Sequence, residues 1–241
     1  LVVYDSGNWR KFADEASSYS NDYSVSFDGS NDYINVPRDD GLNNSTLSLS
    51  AWVKFDVVNT NQCIIAKRTS ATGVYFQFKL QSNGKLQFYN LGFANDARVL
   101  SADTWYHLAV VHTGGTGGTT VIYINGSGVS FNNTNTGDLG STSTLDIGRL
   151  NSTYGQYMNG LIDEVGVWTT ALSASDISTL RGGASAGTLG LPADISSLSP
   201  YYHYRMGDND GGTGTTITDQ GSGSNNGTLT NGPTFSSDVP S

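Results

Sequence analysis

The chain has 241 residues, with 12 Lys and Arg against 21 Asp and Glu, a formal net charge of −9 and a pI near 4.5. This acidic balance excludes a nucleic-acid binder, which needs a basic face to neutralise phosphates. Charged residues at 14% beside 30 Gly leave few helix formers and many turn formers, which disfavours a helical protein.

The chain starts on the strand-like Leu1-Val2-Val3-Tyr4 without an initiator Met or a signal-peptide pattern, so it is expected to be a segment of a longer polypeptide. Residues 1–22 form an N-terminal strand or linker segment, in which Trp9 and Phe12 either pack on the strands after them or link those strands to a preceding module. Short runs rich in β-branched and aromatic residues then predict strands over Tyr23–Phe27, Tyr33–Val36, Leu47–Phe55, Cys63–Arg68, Val74–Leu80, Lys85–Asn90, Thr104–Thr113, Thr119–Asn125, Thr144–Arg149 and Gly160–Trp168. Within Val74–Leu80 the even-numbered residues are apolar and the odd ones amphipathic or polar, the mark of a strand with one wet face. Asn83-Gly84 and Asn125-Gly126 supply positive-φ turns, and the first joins two strands as a hairpin turn should. Ser173-Ala174-Ser175-Asp176 starts a short helix near 173–181, which Gly182-Gly183 ends. A Gly/Ala/Ser/Leu connector follows, then a closing aromatic strand over Tyr201–Met206 and a Gly/Asn/Thr-rich tail. Ten or more strands at this spacing predict a sandwich or barrel.

Three groups of motifs, in order, carry a family resemblance. The first is Ser26-Phe27-Asp28-Gly29-Ser30-Asn31-Asp32-Tyr33-Ile34 with Leu49-Ser50-Ala51-Trp52-Val53. The second is Asn83-Gly84-Lys85-Leu86, then Thr104-Trp105-Tyr106-His107-Leu108-Ala109-Val110-Val111 and Tyr123-Ile124-Asn125-Gly126. The third is Ile147-Gly148-Arg149, Asn159-Gly160-Leu161-Ile162-Asp163-Glu164-Val165-Gly166-Val167-Trp168 and Ala171-Leu172-Ser173-Ala174-Ser175-Asp176-Ile177. Together they resemble a laminin-G-like, pentraxin-like domain of the concanavalin A-like jelly-roll superfamily. The resemblance implies an all-β, antiparallel two-sheet jelly-roll sandwich over residues 23–181, with 182–241 as connector, closing strand and C-terminal segment. Tyr204-Arg205-Met206-Gly207-Asp208 and the tail are also similar to the ends of such domains in tail-fibre and other virion proteins of marine bacteriophages. That likeness implies a virion-surface or extracellular setting, with a host-surface receptor and other virion or fibre subunits as partners.

For chemistry, the resemblance implies a structural Ca²⁺ held by Asp28, Gly29 and Asp32 with Asp163, since a hard cation takes oxygens from carboxylates and Gly-rich turns. The alternative is that Asp28-Gly29 is a plain turn and Asp163 caps backbone N–H groups. Asp208-Asn209-Asp210-Gly211-Gly212, with Asp219 further on, echoes an EF-hand loop but lacks Gly at the sixth position and Glu at the twelfth. His107, His112 and His203 are expected to be hydrogen-bonded strand residues, without an acidic companion at metal-site spacing. Cys63, before Ile64-Ile65, is expected to be a buried structural thiol, and it cannot form an intrachain disulfide. No apolar run approaches the roughly 20 residues of a membrane span, so membrane insertion is not expected.

The superfamily includes glycoside hydrolases, whose retaining members set two Glu on one strand in a Glu-x-Asp-x-x-Glu pattern. Hydrolysis needs two carboxyl groups flanking the bond. This chain has 19 Asp but only Glu15 and Glu164, and it lacks that pattern, so an enzyme is not expected. A non-catalytic recognition or adhesion module, binding glycan or a cell surface, is favoured by 13 Tyr and 4 Trp among many Asn and Asp. Candidate ligand-binding residues are Tyr75, Tyr89, Phe93 and Tyr154. A purely structural fibre or decoration domain without ligand is the other reading.

Overall fold

In the computed structural model, residues 2–5, 8–11, 19–42, 44–68, 74–90, 92–115, 117–132 and 143–241 are described. Strands β1 (Val2–Asp5) and β2 (Asn8–Lys11) pair with each other in a two-stranded sheet. Trp9 lies on β2, and Phe12 lies outside the described residues. The chain then forms β3 (Ser24–Asp28), β4 (Tyr33–Val36), β5 (Leu47–Phe55), β6 (Gln62–Arg68), β7 (Val74–Leu80), β8 (Lys85–Tyr89), β9 (Phe93–Val99) and β10 (Trp105–His112). It continues with β11 (Thr119–Ile124), β12 (Ser127–Asn132), β13 (Leu145–Ile147), β14 (Asn159–Trp168) and the helix α1 (Ala174–Thr179). The closing strands are β15 (Tyr202–Tyr204), β16 (Thr216–Ile217), β17 (Gly227–Thr230) and β18 (Thr234–Ser236).

Strands β3 to β18 make two eight-stranded antiparallel sheets, the expected all-β sandwich, with one short α-helix among the described residues. The first runs β12-β11-β10-β5-β14-β3-β18, with β15 also on β14. The second runs β16-β17-β4-β13-β6-β7-β8-β9. Period-2 alternation sends Leu49, Ala51, Val53 and Phe55 of β5 and Phe76, Phe78 and Leu80 of β7 into one buried cluster between the sheets. The Asn83-Gly84 hairpin forms as expected: Gly84 has φ +74°, and Lys85 N donates to Asn83 Oδ1 at 3.2 Å. Helix α1 is capped by the Ser173–Asp176 box, with Ser173 Oγ accepting from Asp176 N. Among the described residues no helix is long and apolar enough to cross a membrane.

The first sheet has a covered outer face. Trp52 and Trp105 cluster with Leu161 and the partly buried Leu189, apart from the core between the sheets. They occupy outward positions of β5 and β10, whose alternate residues fill the core. Beside them Trp168 packs with Val111, Leu172, Ile177, Leu180 and Ile195, so α1 and the segment after it lie over this face. Gly166 permits this packing, because a Cβ there would sit 2.3 Å from the Trp168 ring. The C-terminal segment is more than a tail. It places β17 beside β4 in the second sheet and β18 beside β3 in the first, and Asp238 accepts hydrogen bonds from Trp105 Nε1 and Lys54 Nζ.

Candidate functional site

The outer face of the second sheet carries polar and aromatic side chains in register. Pairing aligns Asn35, Asp146, Ala66, Gln77, Tyr89 and Phe93 across β4, β13, β6, β7, β8 and β9. Lys79, Gln87 and Asn95 form the next row. Ring centroids of Tyr89 and Phe93 lie 4.5 Å apart, and Phe93 is 64% exposed. Toward the other side, Arg149 donates twice to Asp146 Oδ2 and lies 3.4 Å over the Tyr33 ring, while Asn35 Nδ2 donates to Asp146 Oδ1. Between these clusters Arg68 donates to Gln77 Oε1 at 2.7 Å and stands over Tyr154 at 4.9 Å.

Tyr154 comes from the loop after β13. Leu150 anchors that loop on Cys63 and Ala66, and Asn151 Oδ1 accepts from Thr153 N and Tyr154 N, which leaves Tyr154 46% exposed. Three of the four residues expected to bind ligand, Tyr89, Phe93 and Tyr154, therefore share one face. Gln77 pairs with Tyr89 and Tyr89 with Phe93, while Tyr154 reaches the same face through Arg68; Tyr75 is the unpaired residue where β7 bulges against Lys67 and Arg68, off this row. Sequence reasoning missed Tyr33, Arg68, Gln77, Asp146 and Arg149. The outward phase of each strand pointed to Arg68 and Gln77, but neighbours across strands depend on register. Cys63 is buried as expected, and burial pushes its thiol pKa well up.

The residues expected to hold Ca²⁺ stand in two places. Asp28 Oδ1 accepts from Ser30 N and Asn31 N, and Asp32 Oδ2 accepts from Asp28 N, so these carboxylates organise their own turn. The register puts Asn159 opposite Asp28. Asp163 is four residues further along β14, about 13 Å away along the strand. Its Oδ2 accepts from Asn21 Nδ2 and its Oδ1 from Glu164 N. Among the described residues no three or more His, Cys, Asp or Glu are grouped to hold a metal ion. The expected four-residue set therefore does not fit the roughly six to eight oxygens of a calcium shell. In the second acidic loop, Asp208 accepts from Asp22 N and Tyr23 N, Asp210 from Thr218, and Asp219 from His203 N, Gly221 N and Asn225 N.

Asp163 begins a buried ionic cluster on the first sheet. β14 bulges between Asp163 and Gly166, and Glu164 takes φ +46° there. Glu164 Oε2 accepts from His203 Nε2 at 2.8 Å and its Oε1 from Arg205 Nε at 3.1 Å; Arg205 also bonds Asp208 Oδ2. His203 thus has the acidic companion its sequence neighbourhood lacks, because β15 pairs with β14 and sets His203 opposite Gly166. His107 and His112 are hydrogen-bonded strand residues as expected. Ser50 Oγ meets His107 Nε2, while Asn90 and Thr120 meet the two nitrogens of His112. Burial, with Arg181 adding for His107, pushes them down to about 3 and about 4, so neither is a base with a matched pKa at neutral pH.

Burial, then the Glu164 and Asp208 carboxylates, raises Asp163 well above the ordinary carboxyl value. A carboxyl raised in the fold holds its proton more tightly there than in the unfolded chain. Its contribution to stability is full in acid and is lost as pH rises from about 4 through the raised folded value. Asp163→Asn, which cannot charge, is expected to flatten the pH dependence of the thermal midpoint above about pH 4 and to raise the midpoint at neutral pH. Melts of both proteins across that range check this; a midpoint lowered equally at every pH would overturn it.

The sequence model of the concanavalin A-like lectin/glucanases superfamily, of laminin G type, matches residues 28–178. The chain belongs to this superfamily. Among solved structures, it is similar to a Bacteroides ovatus protein ascribed a carbohydrate-binding role, at 23% identity and a TM-score of 0.68, covering 89% of this chain and 59% of that one. A heptameric SAP-like pentraxin from Limulus polyphemus shares 20% identity, with a TM-score of 0.55 over 68% of this chain and 82% of the pentraxin chain. Domain 4 of AbnA, a GH43 extracellular arabinanase from Geobacillus stearothermophilus solved with arabinotriose, shares 24% identity, with a TM-score of 0.50 over 65% of this chain and 75% of that domain. At these identities the likeness is one of fold. No curated protein matches the chain.

Proposed function

We propose that this domain is a non-catalytic glycan-binding module whose ligand lies on the outer face of the second sheet. The observation that carries the reading is the juxtaposition of Tyr154, Arg68, Gln77, Tyr89 and Phe93 on the outer face of the second sheet, where Phe93 and Tyr154 are exposed. The exposed Phe93 and Tyr154 rings supply stacking surfaces for the apolar faces of sugars, and the Arg68 guanidinium beside Tyr154 supplies hydrogen-bond donors.

Glycoside hydrolysis is disfavoured by the same chemistry. Glu164 is buried and committed to His203 and Arg205, and Glu15 lies outside the described residues. A role in an extracellular or virion-surface protein, with a host-surface receptor as partner, is the setting we attach to this reading. The likeness to a carbohydrate-binding protein and to a domain of an extracellular arabinanase supports the extracellular part of that setting.

On a glycan array, the full chain is expected to bind, and Tyr154→Ala and Phe93→Ala are each expected to weaken binding about tenfold, the size of a central aromatic anchor. Absence of binding to every glycan, or binding that both variants leave intact, would sink the proposal.

A further inference from the structure

A second cleft opens over the ionic cluster of the first sheet, away from the outer face of the second. It has a volume of about 300 Å³, and its lining includes Tyr19, Asp194, His203, Arg205, Asn209 and Gln220. That volume is at the lower end for ligand sites, the size of a small polar molecule. Glu164 lies behind His203 and Arg205 and sets their chemistry. Its carboxylate accepts at His203 Nε2, so in the neutral ring that nitrogen carries the proton and Nδ1 is left as an acceptor. Among the described residues Nδ1 has no hydrogen-bond partner.

Arg205 is held by Glu164, by Asp208 and by the Ser20 carbonyl, and stands 4.2 Å over the Tyr19 ring. These bonds use Nε and Nη2 and leave Nη1 as a donor. Gln220 N donates to the His203 carbonyl, which fixes Gln220 at the mouth, and Asn209 follows the anchored Asp208. The cleft thus sets acceptors at His203 Nδ1 and the Asp194 carboxylate beside the Arg205 donor and two amides able to do both.

We infer that this cleft is a second binding site, for a neutral polyhydroxyl ligand such as a terminal sugar residue. A hydroxyl group is donor and acceptor at once, so one can donate to His203 Nδ1 while accepting from Arg205. The charge balance opposes an anion. The Arg205 charge is already met by Glu164 and Asp208, and Asp194 adds a carboxylate to the lining. Two sites on different faces would let one domain engage two sugars of a glycan-coated surface, with the gain in avidity that linked sites bring.

The test is NMR titration of the full chain with methyl glycosides of neutral hexoses and pentoses. Saturable shifts are expected in the His203 imidazole and in the Gln220 and Asn209 side-chain amides. Removing His203 or Arg205 risks the fold, so the exposed Gln220→Ala and Asn209→Ala serve as variants, each expected to weaken binding about threefold to tenfold with an unchanged melting midpoint. Tyr154→Ala and Phe93→Ala are expected to leave these shifts intact, which separates this site from the outer face of the second sheet. No saturable shift at His203, shifts confined to the second sheet, or tighter binding of methyl glucuronide than of its neutral counterpart would overturn the inference.

Discussion

Glu164→Ala is expected to destabilise the domain by about 3 kcal/mol, within the range for removing one partner of a buried ion pair. Glu164 is 5% exposed and is the acceptor for both His203 Nε2 and Arg205 Nε. Without it, His203 loses the bond that fixes its ring, and Arg205 keeps only Asp208 and the Ser20 carbonyl. The backbone makes a sharper comparison possible. A non-glycine residue at φ +46° carries strain of about 1 kcal/mol or more, which the wild type sustains through the two charge-assisted bonds. Alanine retains the strain and loses the bonds. Glycine loses the bonds but relieves the strain, so Glu164→Gly is expected to be about 1 kcal/mol more stable than Glu164→Ala. Urea unfolding measures all three proteins, and an alanine variant within about 1 kcal/mol of wild type would show that the cluster contributes little net stability. In a chain of this size the expected loss lowers the melting midpoint by about 6–12 °C.

Trp168→Ala is expected to cost about 3–5 kcal/mol, the range for truncating a fully buried Trp. Trp168 is 1% exposed, and its Nε1 donates to the Leu198 carbonyl at 2.9 Å. Its ring ties the outer face of the first sheet to Leu172, Ile177, Leu180 and Ile195. Helix α1 has six residues, far too few to be stable alone, so its structure depends on this packing. Loosening of the cover should therefore accompany the loss of global stability. Limited proteolysis is expected to cut the segment 169–199 faster in Trp168→Ala than in wild type, under conditions where both are folded. Trp168→Phe, which keeps a ring but gives up the bond to Leu198, is expected to lose about half as much. Equal cleavage rates in this segment would place the tie elsewhere.

Much of the framework was legible because it rests on local rules. Alternation along Val74–Leu80, the Asn83-Gly84 turn and the Ser173–Asp176 cap each depend on residues a few positions apart, and each forms as its chemistry requires. The aromatic candidates Tyr89, Phe93 and Tyr154 were legible as residues, but their shared face was not, nor was the bulge that sets Tyr75 apart. Tyr89 meets Phe93 through the β8–β9 register, and Tyr154 reaches Arg68 through a loop anchored on Leu150. The tail composition hid β17 and β18, since runs as short as Gly227–Thr230 and Thr234–Ser236 have little strand signal of their own and are completed by β4 and β3.

The 19 Asp and two Glu of an acidic, glycine-rich chain were enough to point to a turn-rich β fold and away from a two-Glu hydrolase site, because composition and short-range spacing express those properties directly. Tertiary structure alone decided where the acids work. It joined Glu164 to His203 across 39 positions and separated Asp163 from Asp28 by placing Asn159 opposite the latter. The physical reason is register: in a sandwich, each side chain's companions are set by hydrogen-bond pairing between strands remote in the chain, and a shift of one residue would exchange them all.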